Sequence, residues 1–286
     1  MLDDKNLEKI YNYLTPQDIF SNVNLRGGVN YFLWNNKYSN ENGFEMINIE
    51  NGQIIDSSIR PLKLDKIDVL ITDNIGFNII KKFIENNFID IDENSEKMLM
   101  NFISVRNPFG FSTDFKNNSS FKKSSEKLTN PVKIFASKGA EGFIEKEKIT
   151  KNIDWIDRYK VLTPFANNIG TDLLDDNLNS FVAEPNSICT ETYLVICAEL
   201  NLGREECLNI TKYLKTKFVR YLISLAKANQ NGTRQTYKFV PTQDFTKNFD
   251  INWDKSIFEI DKQLYKKYNL DDNEIKFIEE KIKPME

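Results

Sequence analysis

The residues able to do chemistry in this chain are carboxylates, lysines, tyrosines and three cysteines, because its 286 residues include no histidine. That excludes Ser-His-Asp and Cys-His nucleophile pairs, imidazole metal ligands and a histidine general base. Cys189, Cys197 and Cys207 form no CxxC pair, so we expect reduced intracellular thiols. Cys189 and Cys197 share a face of an extended strand, where small core residues are expected.

Three short motifs fall short of a catalytic site. Gly27-Gly28 is an isolated pair that matches no nucleotide-binding fingerprint. The string NPFGF at 107–111 resembles the Asn-Pro-Pro-aromatic loop of amino-directed DNA methyltransferases but lacks the second proline, which favours a strand-end turn. The Glu-x-Lys spacing at 279–281 suits a metal-dependent nuclease, yet the surrounding isoleucines indicate an amphipathic helix. We therefore predict no catalytic residue and no metal site.

Charge is distributed unevenly along the chain, although the net charge is only −4. Residues 101–160 carry net +5 and residues 201–240 net +6, and between them residues 161–200 carry net −6. Two basic segments can fold into a single positive face, which is the electrostatic footprint of a phosphate-binding protein. The alternative is ordinary solvated surface charge.

Basic and amide side chains at strand ends, in turns and on a helix are the candidates for contacting DNA. Arginine pairs with guanine, and glutamine or asparagine with adenine, at about 1–3 kcal/mol of discrimination per good bidentate pair. Phosphate contacts position the duplex without reading it. The candidates for base contacts are Arg106, Asn107, Lys138, Arg234 and Gln235, and those for phosphate contacts are Lys122, Lys123, Lys212, Lys215, Lys217, Arg220 and Lys227.

Hydropathy patterns predict an α+β chain, rich in strands over its first two thirds and helical at its end. A long amphipathic helix from Gly203 to Asn229 is expected to carry Lys212, Arg220 and Lys227 on a basic outer face. The aromatic run 29–36 predicts a buried strand, although Tyr31, Phe32 and Trp34 could alternatively stack on bases. Further strands are predicted at 44–50 (the return strand of a hairpin), 67–72, 98–105, 132–137, 159–166 and 188–198, and further helices at 3–14, after Thr72 or Asp73, at 256–268 and at 271–283.

The sequence also bears on cellular location. The segment from Leu2 to Leu14 is charged, so it does not read as a signal peptide. No apolar run approaches the roughly 18 residues that a membrane span needs. We therefore expect a cytoplasmic protein without a membrane partner.

Several strings, taken in order, resemble the region that follows the methyltransferase domain in adenine-N6 DNA methyltransferases of type IIG restriction-modification enzymes. They cover the chain nearly from end to end, which makes the resemblance more specific than any single motif. The strings are RGGVNYFLWN (26–35), SVRNPFGFSTDF (104–115), SICTETYLVI (187–196), YLKTKFVRYLISLAKANQ (213–230), YKFVPTQDFT (237–246), INWDKSI (251–257) and IDKQLYKKYNLDDNEIKFIEEKIKPM (260–285).

The resemblance implies a target-recognition domain, which reads a DNA site and presents adenine to the methyltransferase. It places a β-rich recognition domain at 1–243, with the long helix near 204–228 packed beneath its sheet, and a helical tail at 244–286. In this family the S-adenosylmethionine loop and the Asn-Pro-Pro-Tyr loop lie upstream. We therefore expect a fragment, a split gene product or a free-standing specificity subunit that holds no cofactor and is not active alone.

Three functions remain open from the sequence. The first is a sequence-specific module that binds double-stranded DNA within a restriction-modification system. The second is a protein-interaction subunit, in which the C-terminal helices and the GGVNYFLW region dock onto a separate methyltransferase or endonuclease and DNA binds only to the complex. The third is an adenine-specific DNA methyltransferase with an unrecognised cofactor pocket.

Overall fold

The computed structural model describes residues 1–22, 28–92, 95–169, 178–227, 231–246 and 250–285. It confirms the predicted α+β class, with three small sheets and five α-helices in these ranges. None of the helices in the described ranges is long and apolar enough to cross a membrane. The strands are β1 (Leu7–Tyr13), β2 (Val29–Trp34), β3 (Phe44–Glu50), β4 (Gln53–Arg60), β5 (Pro131–Phe135), β6 (Glu141–Glu145), β7 (Lys160–Pro164), β8 (Phe181–Ala183), β9 (Ser187–Cys189) and β10 (Tyr193–Ile196), and the helices are α1 (Asn74–Glu85), α2 (Arg204–Lys215), α3 (Lys217–Ala226), α4 (Ile257–Lys267) and α5 (Asp272–Lys281).

The first sheet has the order β2-β1-β3-β4 and begins with a strand where a helix was expected. The helix prediction for 3–14 is wrong because a register shift between Leu7 and Lys9 inserts a bulge into β1. The bulge puts Leu7 and Ile10 on the same buried face of the strand. Their spacing of three residues is the spacing expected for the buried side of an α-helix. Strand β1 runs parallel to β3 and antiparallel to β2.

Strand β2 forms where the aromatic run predicts it but is not buried. Tyr31, Phe32, Leu33 and Trp34 are each 44–53% exposed, and they lie on an edge strand of the sheet. The predicted hairpin between this strand and 44–50 is also wrong, because β3 forms its hairpin with β4. The β3–β4 turn is Asn51-Gly52, with positive φ at both residues, which suits the tight turn between twisted strands.

A buried polar network ties the first sheet to α1. Asp73 caps the helix by accepting a hydrogen bond from the Gly76 backbone N–H at 2.8 Å, as predicted. Arg60 is buried, donates to the Asn74 side chain at 2.8 Å and lies over the Phe77 ring at 4.2 Å. Burial lowers the pKa of the Arg60 guanidinium to about 10. The predicted apolar stripe of α1 faces the core, with Ile79, Ile80 and Phe83 fully buried.

The middle of the chain forms two three-stranded sheets, β10-β7-β8 and β6-β5-β9. They account for the strands predicted near 132–137, 159–166 and 188–198. The predictions for 67–72 and 98–105 are wrong: 67–72 forms no strand, and 98–105 contains a 3-10 turn at Leu99–Phe102 with isolated bridges on either side. Most of the apolar side chains there are buried or half-buried as expected, with Val105 exposed, so hydrophobicity located the core better than the backbone conformation.

The predicted long helix is two helices that meet at Thr216. Thr216 is extended, and its side chain accepts a hydrogen bond from the Val219 N–H at 3.2 Å. Asp261 of α4 accepts from the next two donors, Lys217 N and Phe218 N, at 3.0 and 2.9 Å. A tertiary contact therefore supplies the N-terminal cap that starts a second helix.

The C-terminal helices form as predicted and share the largest core. Both α4 and α5 begin with a capping box, Ser256 with Glu259 and Asp271 with Glu274. Ile260, Leu264 and Ile278 pack in the same cluster as residues of α1, α2 and α3.

Candidate nucleic-acid interface

Loops at one end of the two middle sheets form what we call the Arg106 loop cluster, made of residues 104–117, 136–140 and 190–192. Glu191 holds the cluster together: its carboxylate pairs with Arg106 at 3.2 Å and accepts from Thr113 N and Oγ1 at 3.1 and 3.2 Å. Ser137 Oγ donates to the Thr113 carbonyl at 3.3 Å, which links the β5–β6 turn to the same loop. The structure thus brings Arg106, Asn107 and the Lys138 turn together.

The Arg106 side chain is fixed in orientation while its guanidinium stays accessible. It is 56% exposed, pairs with Glu191 through Nε, and lies 4.7 Å from the centre of the Phe165 ring. A cation over an aromatic face, with a carboxylate on one edge, loses little side-chain entropy when it binds a further partner. This arrangement suits bidentate contact with a guanine edge.

Asn107 and Lys138 both adopt positive φ, of 62° and 59°. The Asn107 Oδ1 atom is buried without a hydrogen-bond partner, whereas the Lys138 side chain is exposed at the tip of the β5–β6 turn. Phe109 and Phe111 are buried beneath them, so the NPFGF string anchors this loop in the core. The predicted strand-end turn fits this geometry.

Arg234 and Gln235 start the 3-10 turn Arg234–Tyr237, which packs on the 3-10 turn Leu99–Phe102. Arg234 is half-buried and donates to the Asn101 side chain at 3.2 Å, while Gln235 is exposed. The Gly232 N–H donates to the carbonyl of Phe165, the residue beneath Arg106. The segment before Arg234 therefore reaches the loop cluster, but the Arg234 guanidinium is directed to Asn101.

Lys122 and Lys123 lie beside strand β6. The Lys122 backbone exchanges two hydrogen bonds with Phe143, of 2.9 and 2.7 Å, which extends the β6-β5-β9 sheet at its edge. Both side chains are exposed. Their position on the sheet that carries Lys138 is compatible with phosphate contacts.

The phosphate candidates on α2, on α3 and directly after α3 are buried or half-buried. Arg220 is fully buried; it donates from Nε to the Lys215 carbonyl at 3.1 Å and from its second guanidinium edge to the Lys283 carbonyl. Lys227 is also buried and donates to the Asn167 and Ile169 carbonyls at 2.8 Å. The predicted basic outer face is wrong for these two side chains, because helix carbonyls and loop carbonyls take up their charges.

Lys212 and Lys217, from the same candidate group, are half-buried and bonded to the C-terminal tail. Lys212 donates to the Trp253 carbonyl at 2.6 Å, and Lys217 pairs with Glu279 at 2.6 Å. Lys215 is half-buried as well. The ammonium groups of Lys212 and Lys217 are therefore engaged by the tail within the protein.

The thiols and carboxylates do not converge on a reactive centre in the described ranges. Cys189, Cys197 and Cys207 are free and buried, and burial raises the thiol pKa of each, to about 12 for Cys207. Such thiols are protonated at neutral pH and do not act as nucleophiles. Glu279 is held by Lys217 and by the Tyr265 hydroxyl at 2.8 Å. No group of three or more Cys, Asp or Glu side chains in the described ranges could hold a metal ion.

Sequence reasoning did not select Glu191 or Phe165, although they fix Arg106. Glu191 lies in the acidic segment 161–200, and Phe165 follows a predicted strand. Neither the local sequence nor its periodicity indicates that these residues meet Arg106, since they lie about 60–85 residues further along the chain. The available signal was a carboxylate inside the otherwise uncharged predicted strand 188–198.

Comparison with known proteins gives a weak structural likeness. No protein-family model and no curated protein matches the chain. Among solved structures, the chain is similar to the one described as "Characterization and crystal structure of the type IIG restriction endonuclease BpuSI", with a TM-score of 0.39 and 12% sequence identity. The likeness covers 91% of this chain and 39% of that one, so the chain spans well under half the length of the endonuclease.

Proposed function

We propose that this chain is a sequence-recognition module for double-stranded DNA in a restriction-modification system, without a catalytic site of its own. The observation that carries the proposal is the orientation of Arg106 by Glu191 and Phe165 on a loop cluster that also carries Asn107 and Lys138. An exposed guanidinium fixed at a loop tip is the group best suited to reading a guanine edge. S-adenosylmethionine and the methyl-transfer chemistry belong, in this proposal, to a separate domain or subunit.

The proposed division of labour follows exposure, except that Asn107 is half-buried with its Oδ1 atom buried. Arg106, Asn107, Lys138 and Gln235 are assigned to bases, and Lys122 and Lys123 to phosphates. Lys215, half-buried at the end of α2, is also kept as a phosphate candidate. Arg234 is assigned to positioning, since its guanidinium is bonded to Asn101. Arg220 and Lys227 are excluded because they are buried.

A salt titration tests the proposal. Binding of a labelled duplex library to the full chain is measured by fluorescence anisotropy between about 20 and 200 mM salt, where each neutralised phosphate contributes about −0.9 to the logarithmic slope. We expect binding at low salt and a slope for two or three phosphates, reduced by about two in a Lys122→Ala/Lys123→Ala double variant. A Lys276→Ala/Lys255→Ala double variant, which removes two exposed lysines of the C-terminal tail, is the control. Absence of duplex binding at the lowest salt contradicts the proposal.

A second candidate function is docking onto a separate catalytic subunit, and strand β2 favours it. An edge strand that exposes Tyr31, Phe32, Leu33 and Trp34 presents both unpaired backbone groups and a large apolar surface. Tyr and Trp are also enriched at protein interfaces. Under this function the chain binds DNA only in the complex.

Size-exclusion chromatography with a co-expressed adenine methyltransferase separates the two functions. Leu33→Asp should abolish co-elution while leaving the thermal midpoint nearly unchanged, because the side chain is 44% exposed. Ile153→Asp, at an exposed apolar position outside the first sheet and outside the Arg106 loop cluster, is the matched control. DNA binding by the isolated chain decides for the first function, and binding only in the complex decides for the second.

A further inference from the structure

A cleft of about 420 Å³ opens between the β5–β6 turn and strand β8, and we call it the aromatic cleft. Its apolar walls include Phe135, Phe181 and Tyr193. The Phe135 and Phe181 ring centres lie 5.1 Å apart, and those of Phe181 and Tyr193 lie 5.6 Å apart, with planes at 64° and 89°. Rings set at steep angles to one another give a pocket both ring faces and ring edges for contact with a planar ligand.

Charged groups at the cleft are arranged in pairs. Lys133 and Glu141 form an ion pair at 2.7 Å, and the Lys133 ammonium lies 4.7 Å from the centre of the Phe135 ring. Glu184 also lines the cleft and pairs with Arg204 at 3.2 Å. Paired charges leave a nearly neutral site with both hydrogen-bond donors and acceptors, which fits a neutral heterocycle better than an anion or a cation.

The cleft is continuous with the Arg106 loop cluster. Gly139 and Ala140 line it, and they directly follow Lys138 in the β5–β6 turn. The Thr190 N–H donates to the Phe135 carbonyl at 2.9 Å, so the turn that carries Glu191 is fixed to the same wall. A duplex bound at Arg106 would therefore lie beside the mouth of the cleft.

We propose that the aromatic cleft receives one unpaired nucleobase turned out of the duplex that the Arg106 loop cluster binds. A nucleobase is planar, neutral and rich in donors and acceptors, and extruded bases are held by aromatic stacking and by hydrogen bonds to their pairing edge. Phe181 and Tyr193 supply aromatic surface, and the Lys133–Glu141 pair supplies a donor and an acceptor. This inference rests on the proposed function, and it adds to that function the class of ligand that the cleft binds.

Duplexes with one unpaired base test the inference. Binding of the full chain is compared between a matched duplex and four duplexes that each contain a single unpaired A, C, G or T at the same position. We expect at least one unpaired base to tighten binding about tenfold, the size of a typical base–aromatic stacking contribution. Phe181→Leu keeps apolar volume but removes the ring, and it should abolish that gain without changing the affinity for the matched duplex. Phe258→Leu, at a 57% exposed phenylalanine of α4, is the control and should keep the gain.

The outcomes separate this inference from the proposed function. Equal binding of matched and unpaired duplexes, or a gain that survives Phe181→Leu, overturns the inference and leaves the recognition function standing. If no duplex binds, the recognition function fails, and titration with the four deoxynucleosides, followed by nuclear magnetic resonance, tests the cleft itself. Shifts confined to the Phe135, Phe181 and Tyr193 rings keep it as a nucleobase site. Shifts produced by choline and not by the nucleosides assign it to a cation and overturn the inference.

Discussion

Arg106 is oriented before any ligand is present, because Glu191 and Phe165 restrain its guanidinium from two sides. Arg204 forms a chemically similar pair, since its Nε lies at the same 3.2 Å from Glu184 and its side chain is similarly exposed. It starts helix α2, however, and lies over no aromatic ring of the described residues. An ion pair of this kind is therefore shared by both arginines and does not set Arg106 apart. The aromatic support and the loop position distinguish Arg106.

We predict that Arg106→Ala weakens binding to the recognised sequence by about 10- to 100-fold and relaxes specificity at one base pair, as expected for about 1–3 kcal/mol of lost discrimination. Competition binding with all single-base variants of the site, once selected from a duplex library, measures both effects. Arg204→Ala removes the same charge from the matched ion pair and should leave specificity unchanged. Equal effects of the two substitutions would show that Arg106 contributes only charge.

Lys160 is a buried ammonium whose partners in the structure are backbone carbonyls. Its Nζ donates to the Arg158 carbonyl at 2.7 Å and, weakly, to the Ile156 carbonyl at 3.4 Å. Burial lowers its pKa from 10.5 to about 8. Between these two pH values the unfolded chain holds a proton that the native protein has released, so the free energy of unfolding should rise with pH.

We predict that Lys160→Met removes this pH dependence, which amounts to about 3 kcal/mol between pH 8 and 10.5. Urea unfolding of the wild type and the variant at pH 7, 8, 9 and 10 gives the difference in their free energies of unfolding at each pH. Contributions from other titrating groups cancel in that difference. Lys123→Met, at an exposed lysine, should follow the wild type. If the free energy of unfolding of Lys160→Met rises with pH as steeply as that of the wild type, the pH dependence does not come from Lys160.

At the scale of elements, the two corrected helices share one cause. The segment 7–13 imitates a helix because a bulge restores the buried face after three residues. The segment 203–229 continues its apolar period across Thr216, although the backbone breaks there. In both segments the spacing of hydrophobic residues predicts which side chains are buried. The backbone conformation depends instead on a local irregularity, the bulge in β1 or the break at Thr216.

We predict that Asp261→Ala lowers the free energy of unfolding by about 2–4 kcal/mol, because it leaves the buried Lys217 and Phe218 N–H groups without an acceptor. Asp261→Asn keeps one acceptor oxygen and should cost about half as much. Chemical denaturation measures both, with Asp254→Ala at an exposed position as the control. Wild-type stability in Asp261→Ala would show that Thr216 alone caps α3.

At the scale of the whole molecule, the C-terminal tail is part of the main core. Tyr268 stacks on Phe218 at 5.0 Å and packs against Phe83 at 5.1 Å, and Lys217 and Arg220 bond to residues of the tail. Several of the basic residues in 201–240 that were predicted to contact DNA therefore bind the tail instead. The division into 1–243 and 244–286 stays a prediction about domains.

We predict that deletion of residues 256–286 abolishes cooperative thermal unfolding, because it uncovers Phe83, Tyr213 and Phe218 and removes the Asp261 cap. Differential scanning calorimetry of the truncated and full chains tests this. Phe258→Ala, which alters an exposed tail residue, should keep the wild-type transition. A sharp transition at the wild-type midpoint in the truncated chain would make the tail an independent unit.

The amino-acid sequence was sufficient to predict the α+β class, the C-terminal helices, most of the segments that supply the core, and the lack of histidine chemistry. Those features depend on composition, short-range periodicity and local capping, all of which are written in neighbouring residues. Which basic residues are exposed to solvent could be seen only in the tertiary structure. Arg106 and Arg220 look alike in the sequence, but one rests on Phe165 at the surface and the other is buried beneath the tail, because contacts between segments distant in the chain determine burial.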